Sequence, residues 1–290
     1  MIRVRELTLE REGFGLRELV LLIVAAAVVA VVFGFVLAQG RESSPAGTIG
    51  YRDGDHEEWV NARGKTMEAP EAWPPAPAAA QLLAPGLGPA QFPAPDGGAI
   101  AFVTTTDEGA WMVSRLMVKE GSRVTEVAQV GGGDSPSLSL GGKGGARARN
   151  GVPLVVAWSP DGQQLAWGSV TEPPYNLHLA DRATLTPRSF PLTGGYAGEL
   201  AWSPDGRYLA ISTYAADRTD HTILLLDSFG DEAPQQVAKG CVMVWSPDSR
   251  HLALHGEPRT QPGLWMVSVG GESRRVIDQL GVAPFAWIAE

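Results

Sequence analysis

Short apolar runs recur along the C-terminal two-thirds of the chain, and the same polar turn follows them each time. Ala157-Trp-Ser-Pro-Asp-Gly162, Ala201-Trp-Ser-Pro-Asp-Gly206 and Val244-Trp-Ser-Pro-Asp-Ser249 line up, with Ala286-Trp287 near the C-terminus and a looser copy in Phe92-Pro-Ala-Pro-Asp-Gly97. Trp158, Trp202, Trp245 and Trp287 stand 44, 43 and 42 residues apart. In each copy an apolar run ends at the Trp; Pro then presets φ, Asp bonds nearby main chain and Gly supplies a positive φ, which makes a tight turn. A second apolar run follows, as in Gln164-Leu-Ala-Trp167, Tyr208-Leu-Ala-Ile211, His251-Leu-Ala-Leu254 and Ala99-Ile-Ala-Phe102. The pattern predicts strand, turn, strand. Ser249 stands where the other copies have Gly, so that turn is expected to be strained or differently built.

A third strand is expected at Gly109–Ser114, Tyr175–Ala180, Thr222–Asp227 and Gly263–Ser268, and again at Glu57–Ala62 after a strand at Thr48–Arg52. A fourth, more polar strand is expected at Val124–Val130, Arg188–Leu192, Gln235–Ala238 and Arg274–Ile277. Four antiparallel strands every 40 to 45 residues or so is the period of a propeller blade. The chain ends on a strand of the first type, Pro284–Ile288, and its soluble part opens on strands of the second and third type. The expected fold is therefore all-β, a propeller of about five four-stranded blades in which the C-terminal strand completes the first blade and removes open edges. The alternative is an open arc of four full blades finished by a partner.

The Trp-Ser-Pro-Asp-Gly-x-x-Leu-Ala pattern at 157–166 and 201–210, with looser versions at 92–101 and 244–253, resembles the TolB-type, WD-like propeller repeat family. The resemblance covers most of residues 92–290. It implies a bacterial, extracytoplasmic, protein-binding propeller of a kind sometimes attached to a hydrolase. It fixes fold better than function. A Tol–Pal role is not carried over, because this chain has fewer blades and no room for a separate N-terminal α/β domain.

The hydropathy pattern changes character at the N-terminus. Residues 19–38 run LVLLIVAAAVVAVVFGFVLA without a charge or a Pro. Twenty helical residues at 1.5 Å each span a hydrocarbon core of about 30 Å. This predicts one transmembrane helix after a short stub, residues 1–18. Arg3, Arg5, Arg11 and Arg17 precede the span, whereas only Arg41 and Arg52 follow closely, so the positive-inside rule places the N-terminus in the cytoplasm and residues 41–290 outside. The alternative is a cleaved signal peptide, with Val36-Leu37-Ala38 as the cleavage site.

Composition and charge narrow the function. The net charge is −9, and four Arg against four Glu in residues 1–40 leave that deficit entirely to residues 41–290. So acidic a body argues against nucleic acid as a partner. The single Cys241 excludes a disulfide framework and reads as a small core residue. There is no Gly-x-Ser-x-Gly elbow, phosphate loop or zinc-ligand spacing. His251 and His255 lie some 13 Å apart along one strand face and read as surface residues. Among the first strands, which would line the propeller axis, only Glu199 is ionisable, and a glycosidase would need two carboxylates there. Asp96, Asp161, Asp205 and Asp248 read as turn-capping residues. The four Trp are expected to pack between adjacent blades, each needing one N–H partner. No cofactor, metal or catalytic residue is assigned.

Two irregular stretches remain. Residues 66–97 hold eight Pro, and residues 131–151 form a Gly-rich loop with Lys143, Arg147 and Arg149, a candidate contact for an acidic partner. The expectation is a non-enzymatic, membrane-anchored extracytoplasmic propeller that binds other proteins as an accessory or scaffold subunit of a membrane assembly. The rival classes are a hydrolase or lyase with loop-borne catalytic residues, and a ligand or cation sensor.

Overall fold

The computed structural model describes residues 45–70, 91–107, 112–131, 154–169, 175–215, 221–257 and 260–289. The expected transmembrane span, most of the Pro-rich connection and the basic loop with Lys143, Arg147 and Arg149 lie outside these residues. Among the described residues no helix is long and apolar enough to cross a membrane.

All regular structure among the described residues is β. In chain order the strands are β1 Thr48–Asp53, β2 His56–Asn61, β3 Gln91–Pro93, β4 Ile100–Asp107, β5 Met112–Glu120, β6 Arg123–Gly131, β7 Leu154–Trp158, β8 Gln164–Ser169, β9 Asn176–Asp181 and β10 Pro187–Pro191. They continue as β11 Tyr196–Trp202, β12 Tyr208–Tyr214, β13 His221–Asp227, β14 Gln235–Trp245, β15 His251–Gly256, β16 Leu264–Ser268, β17 Ser273–Ile277 and β18 Val282–Ile288. They form four antiparallel sheets: β3-β4-β5-β6, β10-β9-β8-β7, β11 through β17, and β18-β1-β2. Apart from β18 beside β1, neighbouring strands pair in chain order because the connections between them are short, which is the propeller-type meander.

The turn chemistry is uniform. Gly162 N–H bonds the Ser159 carbonyl at 2.8 Å, and Gly206 N–H bonds that of Ser203 at 2.9 Å. The Ser hydroxyl donates to the Asp carboxylate, at 2.6 Å for both Ser159–Asp161 and Ser203–Asp205. That Asp oxygen accepts from the main chain two residues on, at Gln163 and Arg207. Asp96 does the same with Gly98, although Ala94 replaces the Ser.

The fourth turn keeps the same bonds, Ser246 hydroxyl to Asp248 at 2.5 Å and Arg250 N–H to Asp248 at 3.1 Å, and differs only in carrying Ser249 where the others have Gly. Ser249 takes φ +61° and keeps the turn bond to the Ser246 carbonyl at 3.0 Å. Its hydroxyl accepts from the main-chain N–H of Asp205 in the preceding turn at 3.0 Å. The side chain that strains the backbone thus gains a contact no Gly could make.

Apolar layers link the sheets in sequence. Val118, Leu116, Val156 and Trp167 share one layer, and Leu177, Leu179, Leu200 and Ile211 the next. Ile223, Met243, Trp245 and Leu254 share a third, and Ala253, Leu264, Met266, Ile49, Val60 and Trp287 a fourth. The C-terminal strand lies beside the first: Thr48 pairs with Ile288, Ile49 with Trp287 and Asp53 with Val282.

Three details differ from the sequence reading. Among the described residues the first sheet has three strands, and a single bridge between Val60 and Thr66 stands in the fourth place. β14 is continuous and serves two meanders. Its first half pairs with β13 and its second with β15, because Gly240 at φ +148° turns the chain without a loop. The third strand of the β3–β6 sheet continues to Glu120, well past Ser114.

Candidate functional site

The Trp series forms one repeated joint. Trp158 Nε1 donates to the Phe92 carbonyl at 2.9 Å, Trp202 to Ala157 at 3.3 Å and Trp245 to Ala201 at 2.9 Å. Each acceptor directly precedes the Trp-equivalent position of the preceding meander. Pro93 holds that position in β3, pairing with Ile100 as Trp158 pairs with Leu165, and it has no N–H to give. Trp287 departs from the series and reaches Ala46 at 3.4 Å.

Charged joints reinforce the boundaries. Arg182 pairs with Asp96 at 2.7 Å and Glu120 at 2.5 Å. Bonds from Gly98 N–H first, and from Arg182 second, hold the Asp96 carboxyl below the usual carboxylate range. Arg188 bonds the carbonyls of Ser228 at 2.6 Å and Gly230 at 3.0 Å.

Titratable groups gather at the opposite end of the strands, away from the Ser-Pro-Asp turns. β11 starts there at Tyr196, β12 ends at Tyr214, β13 starts at His221, and Glu257 follows the end of β15. Tyr196 and Tyr214 stack with ring centroids 5.7 Å apart; Tyr175 meets Tyr196 edge-on at 5.9 Å, and Tyr214 meets His221 at 4.6 Å. The row exists because residue 198 is Gly: a Cβ there would lie 1.8 Å from Cε2 of Tyr214. Gly198 is also the bulged residue of β11, between Ala197 and Glu199.

Two carboxyls belong to this end. Burial pushes the Glu199 carboxyl up to about 7, offset in part by the Met243 main-chain N–H that bonds it. Met243 follows Val242, a β-branched residue at φ +47° in a second bulge. Such a conformation is an outlier for Val, and strain of this kind concentrates where structure serves function. Glu257 is 4% exposed, and its Oε2 has no hydrogen-bond partner. Among the described residues His221 Nδ1 stands 3.7 Å away, likewise without a hydrogen bond. Cys241 pairs with His255 across β14 and β15. Burial first, then the charges of Glu199 and Glu257, push its thiol up to about 11. Burial lowers the basicity of His255.

His251 is not a surface residue. It is 5% exposed because it packs toward Trp287, centroid to centroid 6.5 Å, beside Asp248. The sequence reading found Glu199 as the one ionisable inner-strand residue and missed Glu257, which has no counterpart in the other repeats. Among the described residues no three His, Cys, Asp or Glu side chains gather as a metal would require. A groove of about 300 Å³ runs along the first half of β14, lined by Gln236, Lys239, Gln261 and Trp265 among others.

Antiparallel meanders joined through shared layers define a propeller-type protein. No family model matches the sequence, and no curated protein matches it. Among solved structures the chain is similar to TolB from Acinetobacter baumannii, at 14% identity and a TM-score of 0.43 over 69% of this chain and 46% of that one. It is similar to the β-propeller domain of the Trilobed protease from Pyrococcus furiosus, at 17% identity and 0.42 over 63% and 55%. It is also similar to an acylaminoacyl peptidase from Pyrococcus horikoshii, at 15% and 0.41 over 63% and 31%. The chain thus spans about half the length of the TolB it matches.

Proposed function

We propose that the chain is a single-pass membrane protein whose residues 41–290 form a closed five-bladed propeller outside the cytoplasm, where it binds another protein as an accessory or scaffold subunit of a membrane assembly. The blade count takes β14 as two blade strands and β18-β1-β2 as the fifth blade. The anchor rests on the uncharged residues 19–38. The observation that carries the binding role is the row of half-buried Tyr175, Tyr196 and Tyr214, an aromatic surface at one end of the sheets with two buried carboxyls behind it. The basic loop with Lys143, Arg147 and Arg149 is a second contact, for acidic groups of the same partner.

One observation favours a second reading. A carboxyl titrating near 7, as Glu199 does, suits a general acid, so a hydrolase or lyase is the rival. The test is purification of the tagged full chain from membranes in mild detergent. A membrane protein co-purifying at fixed stoichiometry, through a carbonate wash beforehand, is the expected result. The chain eluting alone, or released by carbonate, overturns the reading.

A further inference from the structure

We propose that the end of the sheets formed by Tyr196, Tyr214, Glu199, His221 and Glu257 receives a basic side chain, a lysine or arginine of the protein partner. The inference rests on the protein-binding reading and names the chemistry that the site selects. Among the described residues neither Glu199 nor Glu257 has a Lys or Arg within ion-pair distance. Glu257 is the sharper case. Its side chain is 5% exposed, and its Oε2 lacks a hydrogen bond; His221 Nδ1 stands 3.7 Å away, beyond hydrogen-bond reach. A buried carboxylate oxygen left in this state is destabilising until a donor arrives.

The surroundings favour an organic cation over a metal ion. The described acid and imidazole groups do not converge three at a time. Rings stand beside the acids instead: Tyr196 and Tyr214 stack at 5.7 Å with Tyr175 next to them, and Tyr214 meets His221, which neighbours Glu257. Tyrosine faces attract ammonium and guanidinium groups, and the aliphatic stem of Lys or Arg lies well along such rings while its head reaches an acid. The body that presents this site is acidic, at a net −9 for the chain, which steers basic groups toward it. Glu199 lies near Tyr214 and Cys241, Cys241 in turn near Glu257, and Glu257 near His255 and His221; burial keeps the Glu199 carboxyl near 7, and an arriving cation would restore its charge.

The test uses the full chain in detergent and titrates N-acetyl-lysine amide by calorimetry at pH 8, with N-acetyl-glutamine amide as the neutral control and calcium chloride as the metal probe. The lysine compound should bind with a Kd on the order of 1 mM, the range of a single weakly buried ion pair with ring contacts. The glutamine compound should not bind. Glu257→Gln and Glu199→Gln should each weaken the lysine compound about tenfold, a 1.4 kcal/mol change. Binding should also weaken at pH 5.5, where Glu199 is protonated. Equal binding of both compounds, unchanged affinity in both variants, or tight calcium binding in place of lysine overturns the proposal. Should either carboxyl variant fail to fold, Tyr196→Ala at the half-exposed rim carries the test, and unchanged affinity there overturns it too. The two readings fail separately. A co-purified partner that ignores all three variants sinks the lysine site alone, whereas lysine binding by a chain that elutes without a partner sinks the accessory role alone.

Discussion

Arg274 donates from Nη2 to the main-chain carbonyl of Ala62 at 2.5 Å, across 212 positions of sequence. Arg188 makes the same bond to Ser228 at 2.6 Å, between neighbours in chain order. The two arginines are equivalent: Arg188 pairs with Leu179 and Arg274 with Met266, each two residues before its third strand ends. Their acceptors are equivalent too, each directly following a third strand. The C-terminal meander therefore meets the N-terminal strands as consecutive meanders meet each other. Arg274→Met should lose one charge-assisted bond, about 1.5–3 kcal/mol, and lower the melting temperature by about 3–10 °C. Arg188→Met, which gives up bonds to Ser228, Gly230 and Asp231, should lower it further. Differential scanning calorimetry of the two variants checks the order.

Ser249 offers a second test. Its φ of +61° is strained for Ser, while its hydroxyl holds the Asp205 N–H. Ser249→Ala keeps the strain and loses the bond, and should destabilise by about 1 kcal/mol. Ser249→Gly relieves about 1–2 kcal/mol of left-handed strain as it loses the same bond, so it should melt close to the parent. Denaturant melts of both variants decide it; a Gly variant as weak as the Ala variant would show that strain is not what the bond offsets.

Gly198 and Tyr214 should behave as a coupled pair. A Cβ at residue 198 meets the Tyr214 ring at 1.8 Å, so Gly198→Ala should displace the ring and cost several times the ~1 kcal/mol typical of a single substitution. Adding Tyr214→Ser should recover most of that loss. A double-mutant cycle with no coupling would mean the ring moves away freely.

The repeat was legible because turn chemistry is local: Ser, Pro, Asp and Gly specify their conformation within six residues, so strand positions and the Asp caps can be read from one sequence. The Trp joints follow from a large side chain recurring at one register. The titratable end was not legible. Tyr196, Tyr214, His221 and Glu257 sit at strand ends without a repeat signal, and only sheet packing brings them together. His251 misled for the same reason, since its burial comes from Trp287, 36 positions later in the sequence.

Glu199 makes stability depend on pH in a stated direction. Its folded value is raised from 4.5 to about 7 by burial, so the folded state holds a proton that the unfolded chain releases. The stability it contributes is fully present below 4.5 and lost as pH rises through 7, at most about 3 kcal/mol in all. Glu199→Gln should flatten this part of the profile and melt higher than the parent at pH 8. Urea midpoints between pH 4.5 and 8 measure it; an unchanged slope in the variant would assign the dependence elsewhere.

The proposed closure by the C-terminal strand is tested most directly by removing that strand. Deleting residues 282–290 takes away the pairing with β1 and the buried side chains of Val282 and Trp287. Each such side chain is worth about 1.5–3 kcal/mol, against about 5–15 kcal/mol for a whole folded domain. It also leaves β1 as an open sheet edge. Thermal melting of the truncated chain should show a much lower midpoint or aggregation. A midpoint equal to that of the intact chain would contradict closure by the C-terminal strand and favour an open arc.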